Sequence, residues 1–411
     1  MSKVIFWILI ISFICFEKNA YSQDVLVKAG HVFDPVTGSW LHGQLLEIKS
    51  GKIKAISKIK KENKQKVIDL GDYYIVPGLI DAHTHLFLSD PTFEKDFSKG
   101  LLEFVSKTSL KDRIALGERR GHSLLMKGFT AVRDLGNSGR IDPRMIRKPT
   151  PRIYSSGPGH VPKWGQFPPG TSEKIILQEY ERLSPEVIKR LDNFNHATVK
   201  LYADEEPNHT LTSPEVLKEW VSRAHANNLK VAVHGILPKA IQAAIDAKAD
   251  SLEHGTNLDE VQMKQMASQK MYWVPSTGSK ILTRPELTEI RPHHVSQELS
   301  LICSKIPKAK ETGVELVFGS DNYFSLEKFG IDFGESTMEA LIFLSECKVS
   351  PVDILRMATL HAGELIGDKA LGDLKFGSYA DFVVYKKDPL NDLAILKSPY
   401  KVFKAGQEVL K

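Results

Sequence analysis

Apolar residues fall along this chain in two different rhythms. Between residues 24 and 75 they come in short pieces: Val25-Leu-Val-Lys, Gln44-Leu-Leu-Glu-Ile, Lys52-Ile-Lys-Ala-Ile and Lys66-Val-Ile-Asp-Leu. Turn sequences such as Asp34-Pro-Val-Thr-Gly38 separate them. Runs of this length bounded by Gly, Asp and Pro predict strands of a small antiparallel sheet. The far end repeats the texture, with Ala380-Asp-Phe-Val-Val-Tyr385 and Tyr400-Lys-Val-Phe-Lys404 strand-like and Ala405-Gly-Gln a turn. Two β segments flanking a long middle predict one small sheet domain assembled from both chain ends.

The middle alternates strand and helix signals. Strand-like runs open at Ile75-Val-Pro-Gly-Leu-Ile-Asp-Ala-His-Thr-His85 and recur as Phe129-Thr-Ala-Val-Arg-Asp134, Arg152-Ile-Tyr-Ser-Ser-Gly157 and Ala197-Thr-Val-Lys-Leu-Tyr202. They continue as Lys230-Val-Ala-Val-His-Gly235, Ser251-Leu-Glu-His-Gly255, Met271-Tyr-Trp-Val-Pro275 and Val314-Glu-Leu-Val-Phe-Gly-Ser-Asp321. Helical patterns lie near 110–127, 213–228, 238–247, 258–268, 297–311 and 334–347. The second of these opens Thr212-Ser-Pro-Glu, a cap residue followed by Pro in the first turn. Strands that regularly precede helices predict a parallel sheet with right-handed crossovers, and eight such units close into a (β/α)8 TIM-like barrel of the α/β class. The expected organisation is a signal peptide over 1–22, a composite β-sandwich from 23–75 and 369–411, and a barrel over 76–368.

The first segment stands apart from this plan. Lys3 precedes an apolar run over 4–16, then Glu17-Lys-Asn and Ala20-Tyr-Ser22 before Gln23. That is the order of a secretory signal, with small residues at the positions that favour cleavage after Ser22. The run is too short to span a bilayer comfortably, so the expectation is an exported protein without stable membrane insertion. Cys303 and Cys347 remain after cleavage, and the sequence leaves open whether they pair or stay buried thiols.

Composition narrows the function little. The 411 residues are 42% hydrophobic and 26% charged, as in an ordinary globular protein. The net charge of +5 is scattered over the chain. Without a basic stripe or arm, nucleic acid is not an expected partner. Homo-oligomer formation stays open.

Candidate chemistry collects at the predicted strand ends, where barrels of this kind carry their active sites. His83 and His85 end the first strand, Lys200 the fourth, His234 the fifth, His254 the sixth and Asp321 the eighth. Each alone has a plain explanation: His234 as a core histidine, Lys200 solvated or paired with Asp204, Asp321 as a cap. All six at one end of one barrel describe a metal site.

These residues sit in stretches that resemble the amidohydrolase superfamily of metal-dependent hydrolases. The matching pieces are Val76-Pro-Gly-Leu-Ile-Asp-Ala-His-Thr-His85, Gly128-Phe-Thr-Ala-Val-Arg-Asp134, Thr198-Val-Lys200, His234, Ser251-Leu-Glu-His-Gly-Thr256 and Gly319-Ser-Asp321. Ala358-Thr-Leu-His-Ala-Gly, Gly377-Ser-Tyr-Ala-Asp-Phe-Val-Val384 and Asp388-Pro-Leu fit in the tail. The chain looks most like the prolidase and imidazolonepropionase-related branch, and the likeness covers essentially everything after the signal peptide. It implies two divalent ions, usually zinc: His83, His85 and Asp321 on one, His234 and His254 on the other. Lys200, carboxylated by CO2 to a carbamate, bridges them. A bridging hydroxide then attacks the substrate carbonyl, and Asp321 passes the proton to the leaving nitrogen. Lys200 favours the binuclear, peptidase-like side of the branch. Asp81 is either an orienting neighbour or a further residue on the ligand face.

Substrate identity rests on loops. Tyr202, the acidic Asp204-Glu-Glu206, and Arg284, Arg291, His293 and His294 in the loop 276–296 are candidate contacts, a cation there suiting a free carboxylate. His160 is either a substrate-facing loop residue or an exposed histidine. The expected activity is hydrolysis of an amide bond in a small molecule or dipeptide, by a dipeptidase (Xaa-Pro or related) or N-acyl-amino-acid hydrolase. Alternatives are a cyclic amide (imidazolone- or hydantoin-like) hydrolase and, less favoured, a non-catalytic ligand-binding homologue.

Overall fold

The computed structural model of the chain describes residues 25–58, 67–88, 104, 107–136, 141, 145–157, 159, 198–205, 210–290, 295–324 and 326–409. The signal-like segment 1–22, His160, Arg291, His293 and His294 lie outside these residues.

Strands β1 (Val25–Asp34), β2 (Ser39–Lys49), β3 (Lys52–Lys58), β4 (Val67–Asp69) and β5 (Tyr74–Pro77) come from the N-terminal part of the chain. They share one sheet with three strands from the C-terminal end, Phe382–Tyr385, Lys401–Lys404 and Gln407–Glu408, and the turn at residues 34–38 joins β1 to β2. Strands from both ends of the chain thus share one sheet, which is mixed rather than antiparallel as expected. Both β4 and β5 run parallel to β1, while the C-terminal strand Phe382–Tyr385 pairs antiparallel with β5. Its core comprises Val27, Val32, Leu46, Ile48, Ile75, Phe382 and Phe403, with Phe382 and Phe403 stacked at 4.4 Å.

The opening run splits between two sheets. Ile75, Val76 and Pro77 belong to β5, whereas β6 (Leu79–Thr84) begins the parallel set. Gly78 sits between them against Thr130, whose Oγ1 would lie 2.0 Å from any Cβ added at this position. Only glycine lets the chain pass from one sheet to the other this close to its neighbour.

The parallel strands form two groups. In the first, β6 pairs with β7 (Phe129–Asp134), which pairs with β8 (Arg152–Ser155). In the second, β9 (Thr198–Tyr202) carries the short hairpin β10 (Asp204–Glu205) and β11 (Thr210–Leu211) after it, and pairs with β12 (Lys230–Gly235). Then β12 pairs with β13 (Ser251–His254), and β13 with β14 (Tyr272–Val274). The eighth predicted strand is an irregular segment over 314–322 held by single bridges. It touches β14 through Trp273 and Leu316 and reaches β6 through Thr84 and Asn322, joining the two groups on one side. No ladder links β8 to β9 among the described residues.

The helices follow local signals. The helix Pro214–Ala226 is capped by the Ser213 side chain with Pro in its first turn, as its sequence predicts. Glu260–Gln269 opens with a capping box between Asp259 and Gln262. The long loop expected after β14 contains 3-10 turns at Gly278–Thr283 and Pro285–Leu287, and the tail adds helices Pro351–Met357 and Leu360–Ile366. Cys303 and Cys347, left open by the sequence, form a disulfide.

Candidate metal centre

The six predicted side chains converge. His83 Nε2 and His85 Nε2 lie 3.2 and 3.0 Å from Asp321 Oδ1, and His254 Nδ1 lies 3.7 Å from Asp321 Oδ2. Lys200 Nζ is 3.4 Å from His83 Nε2, and the His234 and His254 rings are 4.5 Å apart. Donor atoms of His83, His85 and Asp321 all fall within 4.8 Å of one another, a spacing a single ion can span. Imidazole nitrogens with one carboxylate form a donor set that suits zinc and similar divalent ions.

Local backbone geometry brings them together. His254 and Asp321 both adopt left-handed φ, 68° and 55°, conformations that non-glycine residues rarely take. Such strain concentrates where the surrounding structure holds a functional side chain in place. Gly319 allows the eighth segment to approach β6, since a Cβ there would lie 2.4 Å from Val274 Cγ1 and 2.6 Å from His83 Cβ. The β6–β7 register shifts between Asp81 and Thr84, so plain strand alternation does not carry through the His-x-His pair. Asp81 is thereby resolved as an orienting neighbour. It accepts hydrogen bonds from the Ser320 amide at 2.9 Å, the Ser320 hydroxyl at 2.6 Å and the His83 amide at 3.1 Å, tying the two ligand-bearing segments together.

Burial sets the protonation. It lowers the pKa values of His85 and His254, the latter to about 3, and holds His234 well below its usual range. Burial pushes Asp321 upward, but the charge of His83 and hydrogen bonds from His83 and His85 outweigh it and keep the carboxyl ionised. His83 is the exception, since burial and the Lys200 charge oppose its proton but the charges of Asp321 and Glu253 and the Asp321 hydrogen bond outweigh them and raise its pKa. His85, His234 and His254 have the neutral form that metal binding requires. Burial brings Lys200 down to about 8, and no carboxylate among the described residues pairs with it. Asp204 instead accepts from the Ile236 and Leu237 amides, at the start of the helix Pro238–Asp246, and lies 3.5 Å from His234.

Of the substrate candidates, Tyr202 stands beside the cluster, its ring 5.3 Å from that of His234 and 5.4 Å from Lys200 Nζ. Arg284 is engaged elsewhere, by Glu335 and Glu339, so it is removed from the candidate substrate contacts. Three buried residues escaped the sequence reading of the site. Glu253 and Arg133 form an ion pair at 2.8 Å beside His83. Arg120, on the helix Leu110–Met126, donates to the carbonyls of His85, Leu88, Tyr323 and Phe324, clamping the loops that follow His85 and Asp321. For Arg133 and Glu253 the available signal was a charged residue inside an apolar strand, but nothing in the run names its partner, and Arg120 lies among other charged residues of its helix.

Comparison with known proteins places this geometry. The Amidohydrolase family model matches residues 74–409. Ochratoxinase from Aspergillus niger is 25% identical over 366 residues, covering 80% of this chain and 73% of that protein. A 5-methylthioadenosine/S-adenosylhomocysteine deaminase from Bacillus cereus is 23% identical over 400 residues, covering 91% and 86%. A solved Xaa-Pro dipeptidase with methionine bound in its active site superposes with a TM-score of 0.77 over 95% of this chain and all of its own, at 21% identity. The chain belongs to the amidohydrolase family, the metal-dependent hydrolases of carbon–nitrogen bonds.

Proposed function

We propose that this protein hydrolyses the amide bond of a dipeptide, Xaa-Pro or related, or of an N-acyl amino acid. The observation that carries the reading is Lys200, buried among His83, His234, His254 and Asp321 at the mouth of the parallel strands. A single-ion site has no need of a lysine there. In this reading His83, His85 and Asp321 hold one divalent ion, His234 and His254 a second, and Lys200 joins them as a carbamate formed with CO2. Bound zinc ions supply Lewis-acid polarisation of the scissile carbonyl and lower the pKa of an attacking water. Asp321 accepts the proton of that water on a carboxylate oxygen and returns it to the leaving nitrogen. Its side chain is 22% exposed, so it can reach a substrate that fills the mouth. Tyr202 offers an aromatic wall there, suited to a pyrrolidine ring and equally to a cyclic amide, the second reading.

The same proposal closes the parallel strands into a (β/α)8 barrel beside a composite β-sandwich, and exports the protein through cleavage after Ser22. The disulfide between Cys303 and Cys347 supports an oxidising compartment. No helix among the described residues is long and apolar enough to cross a membrane.

A screen of the zinc-loaded protein, with bicarbonate, against Xaa-Pro and other dipeptides, N-acyl amino acids and cyclic amides tests the substrate class. Turnover of the first two groups, lost in Asp321→Asn, is expected. Turnover of cyclic amides alone favours the second reading, and absence of both metal uptake and turnover sinks the enzyme assignment.

A further inference from the structure

One buried side chain holds the loops that leave the first and eighth strand segments to a single helix. Arg120 is 1% exposed and lies on the inward face of the helix Leu110–Met126. Its Nη1 donates to the carbonyls of His85 at 3.1 Å, Leu86 at 3.4 Å and Leu88. Its Nη2 donates to those of Tyr323 at 2.9 Å and Phe324 at 3.1 Å. The guanidinium lies over the Phe333 ring, 4.5 Å from its centroid. Three residues earlier on the same helix, Gly117 leaves room for Phe87, whose Cε1 would lie 2.2 Å from a Cβ at that position. A planar fork with several fixed donors can span two loops at once, whereas the ammonium of a lysine offers a single point. Backbone contacts join the two loops as far as His85, whose amide donates to the Asn322 carbonyl at 3.0 Å, and Arg120 carries the join beyond it.

Tyr323 is the residue this join holds beside the cluster. Two positions after Asp321, its half-buried ring stands edge-on to that of His85, with centroids 6.4 Å apart. Tyr202 flanks the cluster beside His234, so each part of the candidate site has its own aromatic neighbour. We propose that Tyr323 is a second wall of the substrate mouth and determines specificity, and that Arg120 is the positioning residue that holds it there. The wall takes an apolar side chain on the acyl side of the amide, opposite the ring assigned to Tyr202. An aromatic face contributes there by burying apolar surface, and it does so only while the backbone that carries it keeps its place. The substrate part rests on the amide-hydrolase reading, and the clamp does not.

Native-state hydrogen exchange on the full chain tests the clamp without any substrate. The Leu86 amide, bonded to Asp134 Oδ2 at 2.8 Å, and the Phe324 amide, bonded to Asn322 Oδ1 at 3.3 Å, report on the two loops. In wild-type protein both are expected to open in one step with the same urea dependence. Arg120→Lys, with circular dichroism to confirm folding, is expected to speed both by about tenfold or more. Separate opening in the wild type, or a folded Arg120→Lys protein in which neither or only one amide exchanges faster, overturns the clamp. The wall is read by kinetics on Phe-Pro against Gly-Pro, or on N-octanoyl against N-acetyl amino acids if that class is turned over. Tyr323→Ala and Arg120→Lys are expected to raise KM about tenfold for the larger acyl group, leaving kcat and the smaller substrate near wild type. Tyr323→Phe is expected to behave as wild type. Equal losses on large and small substrates show a merely structural role and overturn the wall. Wild-type protein that turns over neither class defeats the amide-hydrolase reading and the wall with it, while the clamp stands or falls by exchange.

Discussion

At the scale of single residues, buried charges here are stabilised by specific partners, and their energetics can be read by titration. Asp250, at the start of β13, lies 2.8 Å from both His225 and Lys230, and accepts from the Val231 amide. Burial works to raise its pKa, but hydrogen bonds from His225 and Lys230 and the Lys230 charge outweigh it and leave it below the ordinary value. A folded-state pKa below the unfolded one means that the folded form binds fewer protons. The stabilisation is therefore present above about pH 4 and is lost as pH falls through the lowered folded value. Asp250→Asn should lower the free energy of unfolding by roughly 1.5–3 kcal/mol at pH 7, and the gap to wild type should shrink as pH falls below about 4. Urea titrations at the two pH values check this, and a gap that does not change with pH would contradict the linkage. The candidate ligands were legible at this scale because each ends a readable strand. Glu253 and Arg133 were not, because what makes them important is a contact between different strands.

At the scale of elements, helix boundaries follow local chemistry and strand geometry does not. The sequence reading placed helices at 110–127, 213–228 and 238–247, within two residues of those observed at Leu110–Met126, Pro214–Ala226 and Pro238–Asp246. Caps explain the first two, since Ser109 and Ser213 satisfy free amides within three residues, whereas Pro238–Asp246 opens at Leu237 without a side-chain cap and is marked by its Pro. Asp259→Ala, which removes the capping box of Glu260–Gln269, is expected to cost about 1 kcal/mol of stability, read as a lower urea midpoint with unchanged slope. An unchanged midpoint would mean that packing alone positions this helix. The strand elements departed from expectation where contacts are non-local. The run from Ile75 to His85 reads as one strand, yet Gly78 divides it between two sheets. The run ending at Asp321 reads as a strand, yet it is held by isolated bridges to β14 and β6.

At the scale of the whole molecule, two features tie distant parts together. The sheet of the chain ends packs strands from residues 25–77 and 382–408 into one unit, so neither terminus forms its part alone. The Cys303–Cys347 bond links the helix Val295–Thr312 to the segment after Phe333–Phe343, across a sequence separation of 44. A cross-link of that span restricts the unfolded chain, and removing it should lower stability by about 2–4 kcal/mol. Comparison of the oxidised protein with a Cys303→Ser, Cys347→Ser variant in urea tests this, and equal midpoints would show that the bond is formed but inconsequential. The sequence alone left this pairing open, because two cysteines without a spacing motif do not reveal their distance in the fold.

The sequence by itself determined the strand–helix alternation, the helix caps, the use of both chain ends in one sheet and the identity of the six clustered residues. Each of these depends on periodicity or on residue type at a strand end, which are properties of a local stretch of chain. Tertiary structure alone decided that Asp81 binds Ser320, that Asp204 serves the Ile236 and Leu237 amides, that Arg284 is taken up by Glu335 and Glu339, and that Glu253 meets His83. A side chain's partner depends on register between strands far apart in sequence and on single left-handed residues such as His254 and Asp321. Those conformations are strained for the isolated residue, and only the packed neighbours that hold them make them the stable choice.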